Sequence, residues 1–265
     1  MLRLWSKPST IALAPEGLAL RLAGVSKVQR LSPAAPARSW ETLLAELKER
    51  AAKLDIRHVR FILSNQYIRY AVLPWQTGML HGDDWQALGE LHMRKLFGVM
   101  SENWEVRVAL QAHNAAVIVS AIDRALLTQL EALSAQSGWI IHGIEPALMA
   151  VFNHYLPQLS PVKMSTENQW ILIAEPQRLL LAQLTNGQWQ RISVAVPPAG
   201  QEQEECLALI TRALHSHQQT VPIALAYFGS PALLPNHLPD DVRLTRLVQK
   251  QSADRPGILN LLANL

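Results

Sequence analysis

The 265-residue chain has a single cysteine, which excludes an internal disulfide and fits a reducing compartment. Cys206 opens an apolar stripe with Leu207, Ile210 and Leu214, so core packing is its expected role. Charge is scarce too: 17% of residues carry it, which excludes long solvated tails. The net charge is +3, and the bases (Arg3, Lys7, Arg21, Lys27, Arg30, Arg94, Lys95) are scattered. No basic stripe signals nucleic acid, and none is expected as a partner. Long hydrophobic runs are missing. The longest, around Ala115–Ile122, is far short of the roughly 20 residues that cross a bilayer. The start, MLRLWSK, lacks the apolar core of a signal peptide. These absences lead us to expect a soluble, cytoplasmic protein.

Chemistry-bearing motifs are equally sparse. The P-loop pattern, HExxH, GxSxG and CxxC do not occur. His215 and His217 stand two apart, so on a helix they point in different directions and read as exposed cations, with no metal expected. Asp83 and Asp84 precede a helical pattern and read as capping residues. His92 lies within that helix without a partner in view. Trp75, Trp104, Trp139 and Trp170 flank apolar runs and read as lobe packing. No catalytic, cofactor-binding or metal-binding residue is assigned.

What is present is a repeated device. Ile11–Ala23 and Ile171–Leu184 each read as strand, tight turn, strand. Two such copies suggest two related lobes facing each other. Hairpins of this kind can clamp a phosphate chain if they carry acids for a metal and small turns that admit backbone N–H groups. Neither stretch contains Asp. The turns hold Pro15-Glu16-Gly17 and Glu175-Pro176-Gln177. Each proline removes a donor, and each glutamate repels phosphate.

The remaining elements fall in a definite order. Trp40–Leu54 has Leu43, Leu44, Leu47 and Ala51 at helical spacing. Val59–Leu63 and Ile68–Pro74 read as a hairpin about Ser64, Asn65 and Gln66. Asp83–Phe97 reads as a helix, then Trp104–Leu110 and Ala115–Ala121 as strands, and a helix capped by Asp123 runs to about Ser137 and stops at Gly138. Trp139–Ile144 is a strand. Pro146 takes the first helical position before Ala147–Tyr155. The polar loop Pro157–Asn168 is the expected lobe boundary, with a first lobe at 1–156 carrying an inserted subdomain near 57–137 and a second at 157–265. After the second hairpin come Trp189–Val196, the helix Gln201–Gln218, the strand Pro222–Phe228 with Gly229-Ser230, and a final strand Arg243–Val248.

That order resembles the actin-like proteins of pilus and secretion assembly: PilM, MshI and the cytoplasmic part of GspL. VRFILSNQYIRYAVLPW (Val59–Trp75), GWIIHGIEPALMAVFN (Gly138–Asn153) and AYFGSPALLPNHL (Ala226–Leu238) carry the likeness. It implies an α/β actin-like ATPase fold with two RNase H-like lobes. In actin-like ATPases the first hairpin carries Asp-x-Gly; here Leu13, Ala14, Pro15 and Glu16 stand there. The second carries another Asp and Gly; here stand Ile173, Ala174, Glu175 and Pro176. The adenosine turn has two glycines, and Phe228 replaces one of them. Glu175 alone remains as a magnesium ligand, and its ordinary reading is an exposed turn carboxylate.

The resemblance therefore implies a pseudo-ATPase scaffold, with no cofactor, at the cytoplasmic face of the inner membrane. Its partner would be a PilN-like inner-membrane protein, with an assembly ATPase and a second copy of the chain as further partners, and membrane contact only through the partner. The alternatives are a divergent ATP-binding switch using Glu175 and an actin-like filament or division component. The tail Ile258-Leu259-Asn260-Leu261-Leu262 resembles the Ile-Asn-Leu-Leu segment by which PilN docks on PilM, and is expected to bind in an extended form in its own groove or a neighbour's. The plain reading is an apolar turn packed on its own lobe.

Overall fold

The computed structural model describes residues 7–31, 39–79, 81–110, 113–155, 168–216, 222–247 and 258–265. The chain divides into two compact units. One comprises Met1–Ile68, Ile122–Val151 and Pro256–Leu265, the other Arg69–Ala121 and Phe152–Arg255.

The first unit is built on five strands: β1 (Ser9–Ala14), β2 (Gly17–Arg21), β3 (Val28–Arg30), β4 (His58–Leu63) and β8 (Ile140–Pro146), ordered β3-β2-β1-β4-β8. Strands β1, β2 and β3 are antiparallel, whereas β4 and β8 run parallel to β1. Every residue of β1 is buried, so the usual in–out alternation is lost and both of its faces need cover. Helix α1 (Trp40–Ala51) packs on β1 and β2 through Leu43, Leu44 and Leu47, and against α3 (Arg124–Gln136). Ser39 caps α1, its Oγ accepting the Thr42 N–H at 3.4 Å. Asp123 caps α3 as expected, with Oδ1 accepting the Ala125 N–H at 2.8 Å. Gly138, at φ +69°, ends α3 in the left-handed conformation.

The second unit holds two sheets. Strands β5 (Ile68–Leu73), β6 (Trp104–Ala109) and β7 (Val117–Asp123) form one, in the order β5-β7-β6, with α2 (Gly82–Phe97) packed on it. The other contains β9 (Asn168–Glu175), β10 (Arg178–Thr185), β11 (Gln188–Ala195), β12 (Ile223–Gly229) and β13 (Val242–Arg246), ordered β11-β10-β9-β12-β13. It repeats the first sheet's plan: three antiparallel strands, a helix (α5, Glu202–Ser216), then a strand parallel to the first. All eight residues of β9 are buried. Cys206, on the buried side of α5, packs in this core, where burial pushes its thiol up to about 12.

Two expectations need correction. Val59–Leu63 and Ile68–Pro74 do not form a hairpin. Strand β4 has both edges occupied, by β1 and β8, so β5 has no free edge there and joins β7 in a different sheet. The turn between them is a 3-10 helix, Asn65–Tyr67, capped by Ser64. Pro146 ends strand β8 opposite Leu63, so α4 (Ala147–Tyr155) begins one residue later. The N-terminus of α4 is met by a distant side chain, Asn65 Oδ1, which accepts the Leu148 N–H at 3.1 Å. The expected lobe boundary falls on 157–167, outside the described residues.

Gly229, at the end of β12, lies hard against β9: an added Cβ would stand 2.6 Å from the Ala174 carbonyl oxygen. Backbone cannot yield cheaply there. Gly229→Ala is expected to destabilise the second unit by about 1–3 kcal/mol, read as an earlier unfolding transition in urea.

Candidate functional site

Each five-stranded sheet ends its first two strands in a two-residue turn. In the first unit Ala14 pairs with Gly17, leaving Pro15 and Glu16 at the tip. Arg30, on β3, donates from Nη2 to the Glu16 carbonyl at 3.0 Å and holds the turn down. Both carboxylate oxygens of Glu16 are buried and have no hydrogen-bond partner. Burial pushes this carboxyl above its ordinary value, outweighing the opposing pull of its own backbone N–H and of Arg30.

In the second unit Glu175 pairs with Arg178 across Pro176 and Gln177, the latter in the left-handed region at φ +57°. Glu175 is 1% exposed, which overturns its reading as a solvent-facing turn carboxylate. Arg178 lies within its electrostatic reach, and burial together with the like charge of Arg69 lowers the arginine's pKa while Glu175 and Tyr70 raise it. The buried carboxylate thus has a half-buried guanidinium in its electrostatic neighbourhood, which offsets part of the cost of burying its charge.

The third place is the end of β12. Phe228 is buried in the core, its ring 6.1 Å from Tyr155. Tyr227 donates its hydroxyl to the Ser230 carbonyl at 2.6 Å, and burial raises that hydroxyl's pKa. Ser230 Oγ accepts the Ala232 N–H at 3.4 Å, and Gln203 donates to the Ala232 carbonyl at 2.8 Å. This turn is closed on itself by side chains of its own unit.

Chemically, the first tip holds Pro15 and Glu16 and the second Pro176 and Gln177, with the Glu175 carboxylate buried at the end of β9, so each tip has lost one N–H donor to proline where a phosphate needs donors and a cation. Among the described residues no group of three His, Cys, Asp or Glu side chains gathers to hold a metal ion. His215 is exposed and bonds to the Thr211 carbonyl at 2.7 Å, while His217 lies outside the described residues. Asp84 acts as a cap partner, its Oδ2 accepting the His81 N–H at 3.3 Å.

The tail departs from the extended form expected of it. Ile258–Ala263 is a short helix, α6, packed on β1, β2 and β3 of the first unit with Ile258, Leu259, Leu261 and Leu262 buried and Asn260 half-buried. Arg21, on β2, donates from Nε to the Ala263 carbonyl at 2.8 Å, satisfying a C-terminal helix carbonyl. The tail here packs on the first unit of its own chain.

Other polar groups of the first sheet carried no signal in the sequence. Arg60 grips Glu145 in a two-pronged ion pair, both bonds 2.7 Å, tying β4 to β8. Beside it His142 Nε2 lies 2.9 Å from His58 Nδ1. Both pairs join residues more than eighty positions apart, so only the parallel register creates them.

Two outcomes follow from these groups. A carboxyl with a raised folded pKa binds more protons folded than unfolded, so its contribution worsens as pH rises from its unfolded value through its folded one. Glu16→Gln is therefore expected to be more stable than the parent at neutral pH, with the advantage vanishing below about pH 4, as measured by urea unfolding at both pH values. Leu262→Asp places an unpaired charge on the buried face of α6 and is expected to lower the unfolding free energy by about 3 kcal/mol or more, read as an earlier urea midpoint.

No protein-family profile matches the chain, and no curated protein matches it. Solved structures do. A Bacteroides thetaiotaomicron protein described as having an actin-like ATPase fold and unknown function is 14% identical with a TM-score of 0.56, over 87% of this chain and 86% of that one. The cytoplasmic domain of EpsL, an inner-membrane component of the type II secretion system of Vibrio cholerae, is 14% identical with a TM-score of 0.55, over 96% and 92%. A PilM–PilN type IV pilus biogenesis complex gives 11% identity and a TM-score of 0.58, over 83% and 81%. The structural neighbours thus include PilM, in its complex, and the cytoplasmic domain of a secretion protein, matching the PilM- and GspL-like part of the resemblance, and the chain has the actin-like ATPase fold.

Proposed function

We propose that this chain is a non-catalytic cytoplasmic scaffold of a type IV pilus or type II secretion-like assembly machine, holding the cytoplasmic tail of a PilN-like inner-membrane protein. Likeness of fold to the EpsL cytoplasmic domain and to PilM in its complex with PilN supports the setting. No helix among the described residues is long and apolar enough to cross a membrane, so in this reading the chain reaches the inner membrane through its partner.

The observation that carries the non-catalytic part is the buried, unpartnered carboxylate of Glu16 at the first hairpin tip. Phosphoryl transfer depends on donors and cations aimed at the phosphates, and an acid there opposes them. Glu175, the remaining candidate for a magnesium ligand, is buried beside Arg178, which argues against the divergent-switch alternative.

Ile258, Leu259, Asn260, Leu261 and Leu262 keep a place in the proposal as the element that a partner's similar segment would imitate or displace from β1–β3. Contact with an assembly ATPase belongs to the same reading.

Titration calorimetry with magnesium-ATP is expected to show no binding in the micromolar range, and a micromolar constant would overturn the non-catalytic part. A peptide copied from the cytoplasmic tail of a PilN-like protein is expected to bind the full chain, and failure to bind at about 1 mM removes the assignment of that partner.

A further inference from the structure

Helix α2 rests on its sheet through Trp85, Gly89 and Met93, spaced one turn apart. A Cβ on Gly89 would stand 2.6 Å from Val108 Cγ2, so the helix is pressed close against β6. At 100° per residue, Asp84, Ala87, Leu91, Arg94 and Lys95 fall on the opposite side, and all five are exposed. Leu91 is 63% exposed. Just past it the chain leaves Leu96, Val99 and Met100 at 54%, 77% and 65%. Leu91 on the outer side, with Val99 and Met100 just past the helix, puts three large apolar side chains in water and marks an interaction surface, while Leu96 falls on the sheet side at the helix end.

The charges on this stretch are sorted along the helix axis. Asp83, Asp84 and Glu90 occupy its N-terminal part, and Arg94 and Lys95 its last turn. Placing bases at a helix C-terminus suits the helix dipole, and that alone would account for their position. It does not account for the exposed Leu91 between the two charge groups. Nor are the bases engaged: among the described residues Arg94 and Lys95 make no side-chain ion pair or hydrogen bond.

We infer that this face pairs with the same face of a second copy, the two α2 helices antiparallel about a two-fold axis near Leu91. An isologous contact requires self-complementarity. An antiparallel mate brings the basic turn of each helix alongside Asp84 and Glu90 of the other, and opposes the two dipoles. Leu91 meets its own counterpart at the axis. Ala87 is small enough for close approach, and Val99 and Met100 extend over the start of the partner helix. An anionic bilayer is the competing occupant of an apolar face beside basic residues. It fits less well, because Glu90, Glu102, Asp83 and Asp84 on the same stretch leave no cationic excess. One helix face and one turn make a small interface, so the dimer is of about micromolar strength.

Sedimentation velocity of the full chain over about 1–100 μM is the test. The expected result is a concentration-dependent dimer, weakened at least tenfold by Leu91→Glu, a change at an exposed position that leaves the fold intact by circular dichroism. Lys95→Glu and Glu90→Lys are each expected to weaken self-association. Mixing the two variants is expected to restore a dimer containing one of each, because one face then carries only added acid and the other only added base. A monomer at every concentration overturns the inference. So does a dimer indifferent to all three substitutions, or a monomer that pellets with phosphatidylglycerol vesicles through Leu91.

Discussion

A strand buried on both faces is the constraint on which this protein is built. β1 and β9 sit third in their sheets, and none of their residues reaches solvent. Each must be paired on both edges and covered on both sides. The edges are filled by a short antiparallel hairpin on one side and a parallel strand on the other. A parallel neighbour cannot be reached by a tight turn, so a helix must intervene: α1 before β4 and α5 before β12. Cover for the first sheet comes from α1 and, from the other end of the chain, from α6. Thr10 pairs with Arg21 across β1 and β2, and Arg21 reaches the last turn of α6, so that face of β1 is the one the tail closes. The C-terminal residues are thus structural before they are anything else.

The hairpins, the helices and the repeated plan could be read in the sequence because each is local. Apolar runs broken by Pro15-Glu16 and by Pro176-Gln177 give two strands and a turn whatever lies around them. Asp123 and Gly138 delimit α3 by chemistry within a few residues. The failures are all long-range. Whether Ile68–Leu73 folds back on Val59–Leu63 depends on whether β4 has a free edge, and that is decided by β8, about eighty residues further on. Asn65 looked like a turn residue but serves as a cap for a helix 83 positions away. The tail reads equally as an extended ligand or an apolar turn on its own lobe, and only the apolar face of β1–β3, far away in sequence, shapes it into a buried helix. Strand β3, three residues long and largely polar, gave no pattern at all. At the candidate site, the absence of Asp from both turns was visible in the sequence, but the burial of Glu16 and Glu175 was not, since turn acids ordinarily face water.

A ligand that binds only the folded state stabilises it, by about 2.7 kcal/mol at a hundredfold excess over its dissociation constant. Turns built around a nucleotide can rely on that term, and a turn without one must be held by the protein alone. The three turns here have such internal fastenings. Arg30 holds the carbonyl of Glu16, Glu175 and Arg178 face each other across the second hairpin, and Tyr227 with Gln203 fixes the turn after β12. Each fastening uses a side chain from the same unit as the turn it holds. The proposed scaffold role requires fastenings of this kind. The buried acid at Glu16 costs desolvation at a turn whose shape is set by Arg30 and by the β1–β2 register, and that cost is what raises its pKa.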